Sequence, residues 1–372
     1  HTAEKTAPQV FYWPSSPSSG GGFDDPNAEN RGDVHYWEVW HGNQPFTAYR
    51  DFYFRFCSEF GFQSFPCQKT VDTFAHGRAQ NIFSRVMENH QKNGSANGKI
   101  LAYLCQTLRM PTSFGSMLYA SQLLQAEAIR YGVEHWRRNR GRCMGAIYWQ
   151  LNDCWPVASW SSVDYFGRWK ALHYAARRFF APQLASCVIE GRKARMFVTN
   201  DAPEAFSGEL TCLLVNAGGE VLRREHRTID CPPLSAQEVG LIDFEPQFDL
   251  TALHPEDSRM VLFTLTDNAG RIVSEGSELF CAPKHFAFQP PRIRWEVTET
   301  ETAFHIRLDC DALAWGVCLD MTCADGVFSE NWFTLLPGHP RKVTLDKARL
   351  SAPLTLQEVQ AQLTVQSVYD MG

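Results

Sequence analysis

The chain has no long apolar run, no block of basic residues and no closely paired cysteines. No stretch of 18 residues is apolar throughout, so the sequence offers no candidate for a membrane-spanning helix. Lys and Arg number 35 against 41 Asp and Glu, a formal net charge of −6. Without a basic cluster, neither a nucleic acid nor an anionic membrane is expected as a partner. Charged residues reach only 20% of 372, against 44% hydrophobic, a balance that excludes a disordered chain. Twelve cysteines are scattered with no C-x-x-C spacing, and their density of about 3% lies below that of a disulfide scaffold. They read as reduced core residues, which favours a reducing compartment. Cys318 and Cys323 lack two further ligands at a suitable spacing, so no zinc site is expected. No charged segment followed by an apolar one lies near His1, so no signal peptide is expected in this sequence. Neither G-x-S-x-G nor H-E-x-x-H occurs. Gly94–Ile100 resembles a phosphate loop, but its glycines are too close and Ile100 stands where Ser or Thr is needed.

What is present changes character near residue 182. Eight of the eleven tryptophans lie at or before Trp169. In this first part apolar strands alternate with helical periodicity. Strands are expected at Gln9–Trp13, Asp33–Trp40, Phe54–Phe60 and Gly145–Leu151, and helices at Thr70–His90, Lys99–Leu108, Ser113–Arg138 and Trp169–Phe180. Such alternation predicts a parallel sheet with right-handed crossovers. Four β/α units are half of a (β/α)8 barrel. Beyond Pro182 short strands are expected at Val188–Val198, Gly208–Val215, Met260–Thr266 and Arg271–Leu279, with turns at Asn216–Gly219 and Asp267–Gly270. Pro283–Pro291 reads as a linker. Further strands follow at Ile293–Val297, Ala303–Leu308, Gly316–Met321 and Leu363–Val368. The spacing fits two β-sandwiches of roughly 90 residues each.

Three segments could carry chemistry. In Phe56–Pro66 a carboxylate, Glu59, ends a strand otherwise rich in aromatic residues. At the C-terminal mouth of a barrel strand it could attack an anomeric carbon or stabilise an oxocarbenium ion; it could equally be a buried, satisfied glutamate. Val34–Gly42 holds Tyr36, Trp37, Trp40 and His41, whose rings could stack on a pyranose and whose edges could bond its hydroxyls, or could simply form an aromatic core. Strand alternation allows only one of Trp37 and Glu38 to face inward, and Glu38 reads as solvated or structural rather than catalytic. In Gly145–Pro156, Trp149 could floor a sugar site or pack in the core, and Asp153 reads as a turn residue.

These segments, in this order, resemble the C-terminal portion of glycoside hydrolase family 2 β-mannosidases. The similarity is carried by Asp33–Gly42, Ser58–Pro66, Ser121–Gly145, Tyr148–Pro182 and Phe328–Gly338. It implies half of a (β/α)8 TIM-type barrel (strands five to eight, residues 1–182) followed by two Ig-like β-sandwich domains (183–283 and 284–372). It also implies a retaining, exo-acting enzyme that releases β-linked mannose, with Glu59 as nucleophile and no cofactor or metal. Trp149, Trp37, Trp40, Tyr36 and His41 become candidate substrate-binding residues. The substrate would be a β-mannoside oligosaccharide or glycoconjugate.

The sequence departs from the family in two respects. The acid/base glutamate follows an asparagine in the family, and no Asn-Glu pair occurs here. Barrel strands one to four are also missing. Three expectations follow: the chain is a fragment of a longer gene product, or it pairs with another chain carrying the N-terminal half of the enzyme, or it self-associates. Other expectations stay open: another family 2 specificity, of β-galactosidase or β-glucuronidase type, or a non-catalytic carbohydrate-binding or structural fragment. The cysteine pattern and the single sequon at Asn93 lean toward a bacterial cytoplasm.

Overall fold

The computed structural model describes residues 1–21 and 24–372. After a short helix α1 (Thr2–Thr6), the first part is built on three parallel strands, β1 (Val34–Tyr36), β2 (Cys57–Phe60) and β3 (Ala146–Tyr148), in that order across the sheet. Between β2 and β3 run α2 (Gln68–Val71), α3 (Arg85–Asn89), α4 (Ala96–Thr107) and α5 (Phe114–Arg138); α6 (Ala171–Phe179) follows β3. The Ser113 hydroxyl accepts from the Ser116 N–H at 3.0 Å and caps α5, whose last turn carries His135, Arg137 and Arg138 against the helix dipole. One face of the sheet packs on this helix through Tyr36, Phe60, Tyr49 and Trp136, all buried. The other face is open: Ile147 and Trp149 are 55% and 46% exposed.

Gln9–Trp13 is not a strand. The Val10 N–H bonds back to the Ala7 carbonyl in a turn, and Val10, Phe11 and Tyr12 are exposed. A strand needs a ladder partner, and this segment, held between Pro8 and Pro14, forms none. Three parallel strands therefore stand where four β/α units were expected. The expected helix at Thr70–His90 is broken into α2 and α3. Gly77 takes φ +54°, a conformation open to glycine, and the Ser84 hydroxyl restarts the helix by accepting from the Met87 N–H.

Residues beyond 182 form two antiparallel sandwiches of Ig-like type. The first pairs β4 (Gln183–Glu190), β5 (Lys193–Asn200) and β8 (Ser235–Asp243) against β6 (Phe206–Asn216), β7 (Val221–Cys231), β9 (Arg259–Asp267) and β10 (Ile272–Leu279). The single strand expected at Val188–Val198 is a hairpin, because Gly191 at φ +61° opens a two-residue turn that pairs Glu190 with Lys193. The second sandwich pairs β11 (Arg294–Glu299), β12 (Ala303–Asp309) and β15 (Arg341–Asp346) against β13 (Ala314–Met321), β14 (Phe333–Leu335) and β16 (Leu363–Gln366), with α7 (Leu356–Gln362) beside them. Each sandwich has its own apolar core, one around Phe244 and Phe263 and one around Phe304 and Leu345.

Ionic and polar contacts join the parts. Arg178 on α6 donates to the Asn331 and Trp332 carbonyls at 2.9 Å. Arg168 grips both oxygens of Asp325 at 2.6 and 2.9 Å, and Lys69 lies 2.9 Å from the same carboxylate. Arg109 donates to the Phe286 carbonyl, so the proline-rich 283–291 stretch is a packed strap with Phe286 fully buried.

Candidate active site

Strand β1 presents alternate side chains to opposite faces. Val34 and Tyr36 point to the helix layer. His35 and Trp37 point to the open face, where His35 is in register with Glu59 on β2. The Glu59 side chain is 24% exposed, with a hydrogen-bond donor on one oxygen and the His35 ring near the other. Trp37 Nε1 donates to Oε1 at 3.0 Å, and His35 Nδ1 lies 3.7 Å from Oε2.

Just beyond β1 the chain turns, with the His41 and Gly42 N–H groups both donating to the Trp37 carbonyl. The turn ends β1 short of the expected Trp40 and brings the His41 ring 4.9 Å from the Trp37 ring. Trp160 meets Trp37 edge-on at 6.0 Å. Partial burial and the positive charge of Lys99 lower the pKa of His41, against the pull of Glu59. Glu38 is exposed, as expected.

Gly61 explains why a glycine follows the β2 strand. A Cβ there would stand 2.4 Å from the Trp149 carbonyl oxygen and 3.0 Å from both Trp160 and Trp37. Its bare backbone lets β3 approach, and the Trp149 N–H donates to the Phe60 carbonyl at 2.7 Å. Glu59, Trp37, His41 and Trp149 are thus gathered around one short stretch of sheet, with Trp149 half-exposed.

Two sequence-based candidates lie elsewhere. Tyr36 is 5% exposed and packs among Tyr49, Phe52 and Phe54 on the helix side, because it is one step out of phase with His35 and Trp37. Trp40 is fully buried against Phe62 and Tyr103. Neither ring faces the Glu59 side, so both are core residues. Asp153 is also buried, accepting from the Ser161 hydroxyl at 2.6 Å.

Sequence reasoning missed the groups behind Glu59. Asp33 is 9% exposed and accepts from Trp13 Nε1, the Ser16 and Ser58 hydroxyls and the Ser18 N–H. Burial pushes its pKa up, but these donors outweigh burial and hold it below the usual carboxylate range. The period of two along β1 was a usable signal for His35, because it sets His35 on the same face as Trp37.

Deeper still, Lys170 is 2% exposed and donates to the Ser64 and Ser159 carbonyls at 3.3 and 3.5 Å, tying the loop after β2 to the segment carrying Trp160. Among the described residues no group of three or more His, Cys, Asp or Glu side chains is placed to hold a metal ion. The arrangement can therefore offer a carboxylate, held by the Trp37 N–H, next to aromatic faces on an accessible surface. That is the equipment for nucleophilic attack at a sugar carbon.

The chain is similar to several known proteins. Residues 192–285 match the family model of a mannosidase Ig/CBM-like domain, and 288–371 match that of a mannosidase Ig-fold domain. Over 278 residues the chain is 34% identical to β-mannosidase B of Aspergillus clavatus, covering 68% of this chain and 32% of the relative. Over 185 residues it is 40% identical to β-mannosidase B of Aspergillus flavus, covering 48% and 22%. The crystal structure of a β-D-mannosidase from Dictyoglomus thermophilum superposes with a TM-score of 0.86 at 28% identity, over 98% of this chain and 43% of that one. An exo-chitosanase from Amycolatopsis orientalis shares the fold at a TM-score of 0.65 and 15% identity, over 84% of this chain and 42% of that one. The chain spans about a third of the length of the first of these curated relatives.

Proposed function

We propose that this chain, which resembles the C-terminal portion of glycoside hydrolase family 2 β-mannosidases, supplies the nucleophile of a retaining exo-β-mannosidase. The observation that carries the proposal is the pairing of Glu59 with Trp37 and His35 at the strand end, in a chain homologous to β-mannosidases. Glu59 attacks the anomeric carbon and forms a covalent mannosyl ester, which water then cleaves. A second carboxylate, roughly 5 Å away, protonates the departing oxygen and then activates the water. The chain has no Asn-Glu pair to provide it, so this group comes from another segment or chain. Trp37, His41 and Trp149 form the sugar-facing walls; Tyr36 and Trp40 support them from within the core.

On this reading β1, β2 and β3 are strands six, seven and eight of a (β/α)8 barrel, residues 1–182 are its second half, and 183–283 and 284–372 are the two Ig-like domains. The open face bearing Ile147 and Trp149 is then the barrel interior. It is covered by the first half of the barrel or by a second copy, since a parallel sheet is normally buried on both faces. Hydrolysis of a panel of aryl glycosides, with and without Glu59→Gln, tests the assignment in whatever assembly is active. Selective cleavage of the β-mannoside, abolished by the substitution with folding intact, is expected. Full residual activity in Glu59→Gln would overturn it.

A further inference from the structure

We infer that His35 is a positioning residue for Glu59, itself held by a hydroxyl relay to Asp33; the inference rests on Glu59 being the nucleophile. One donor on a carboxylate leaves the group free to rotate about its last bond. Two donors on separate oxygens fix its plane. Trp37 Nε1 takes Oε1 at 3.0 Å and His35 Nδ1 faces Oε2 at 3.7 Å. The second contact is at ion-pair distance, longer than a hydrogen bond, so His35 acts on the carboxylate chiefly through charge.

The far side of His35 is braced as well. Its Nε2 lies 3.0 Å from the Ser16 hydroxyl, which lies 2.6 Å from Asp33 Oδ2. The Ser58 hydroxyl lies 2.5 Å from the same oxygen. The His35 N–H is tied to Asn27 Oδ1 at 2.9 Å, fixing the backbone beneath the ring. The proton placement follows from donor chemistry. An ionised carboxylate only accepts, so Nδ1 must carry a proton to meet Glu59. The Ser16 hydroxyl gives its one proton to Asp33 and so accepts from Nε2–H, which leaves the braced ring with a proton on each nitrogen. Asp33, ionised and anchored by four donors, holds the relay in place. The brace therefore runs Asp33, Ser16, His35, Glu59, and it aims the carboxylate while touching no sugar atom.

Two side-chain amides separate this role from packing. In His35→Asn the amide nitrogen falls where Nδ1 was and can still face Glu59. In His35→Gln it falls where Nε2 was and cannot. The readout is the labelling rate of the chain by 2-deoxy-2-fluoro-β-D-mannosyl fluoride, in which the carboxylate oxygen bonds to the anomeric carbon as fluoride leaves with the C–F electron pair. Fluoride departs with little need of an acid. His35→Asn is expected to label within about threefold of the unchanged chain, and His35→Gln about 10- to 100-fold more slowly, the scale of a misaimed reactive group. Equal rates for the two variants would overturn the inference. A second measurement does not depend on reactivity: long-range ¹H–¹⁵N spectra of the His35 ring. The unchanged chain should show Nδ1 protonated, and Ser16→Ala should lower that population. An unprotonated Nδ1 in the unchanged chain would overturn the inference. A protonated Nδ1 in a folded chain that no probe labels, even when supplied with the missing half of the barrel, would uphold the brace and count against Glu59 as nucleophile.

Discussion

Replacing Lys170 by Met should change how stability depends on pH, and in one direction only. Lys170 is buried with no carboxylate within ion-pair distance among the described residues. Burial lowers its pKa from the ordinary 10.5 to about 8, against weaker opposing pulls from Asp153 and Asp164. The native state therefore releases the proton near pH 8, whereas the unfolded chain keeps it until about pH 10.5. Between those values the unfolded state binds more protons, so this group makes stability rise with pH. Below pH 8 both states are charged and the penalty is constant. A gap of this size corresponds to about 3 kcal/mol across the window. Buried thiols act in the opposite sense: burial raises the Cys67 and Cys143 pKa values to about 11, so the unfolded state loses those protons first. The difference between the unchanged chain and Lys170→Met cancels the thiol contribution. Urea unfolding at several pH values from 7.5 to 10.5, followed by tryptophan fluorescence, reads mainly the first part of the chain, which holds eight of the eleven tryptophans. The unchanged chain should gain about 3 kcal/mol on the variant across that range. A difference that stays flat within about 1 kcal/mol, well below one pKa unit's worth, would refute the reasoning.

Three further substitutions separate core from site. Trp40→Ala should cost about 3–5 kcal/mol in urea unfolding, because the ring is fully buried between Phe62 and Tyr103. Trp149→Ala, at a half-exposed ring, should cost less than about 1 kcal/mol while weakening mannoside binding measured by calorimetry. Arg178→Ala leaves the Asn331 and Trp332 carbonyls without their charged donor and should loosen the C-terminal sandwich by about 2–4 kcal/mol, seen as faster proteolysis after residue 283.

The long elements were legible in the sequence because one period governs them. Helix α5 keeps its apolar residues at helical spacing from Leu118 to Val133, and the Ser113 cap fixes its start. The hairpin turns at Asn216–Gly219 and Asp267–Gly270 were legible from glycine chemistry. The Gln9–Trp13 segment misled because its apolar residues fit a strand, while the deciding factor, a hydrogen-bonding neighbour, is not local. Strand β7 was missed because both its faces carry polar residues over Arg223, Arg224, Glu225, His226 and Arg227, and it is held by pairing with β6 rather than by its own burial. At the site, Glu59, Trp37, His41 and Trp149 were marked by residue type. Tyr36 and Trp40 were marked the same way, and only the face each occupies separates them. The Asp33–Ser16 support could not be seen, since it joins two loops whose approach depends on how the chain folds around β1.

Covalent trapping with 2-deoxy-2-fluoro-β-D-mannosyl fluoride, read by intact and peptide mass spectrometry, tests the central claim most directly. The account predicts one fluoromannosyl adduct, located on Glu59. An adduct on a different carboxylate, or none from a chain shown to be folded and supplied with the missing half of the barrel, would contradict it.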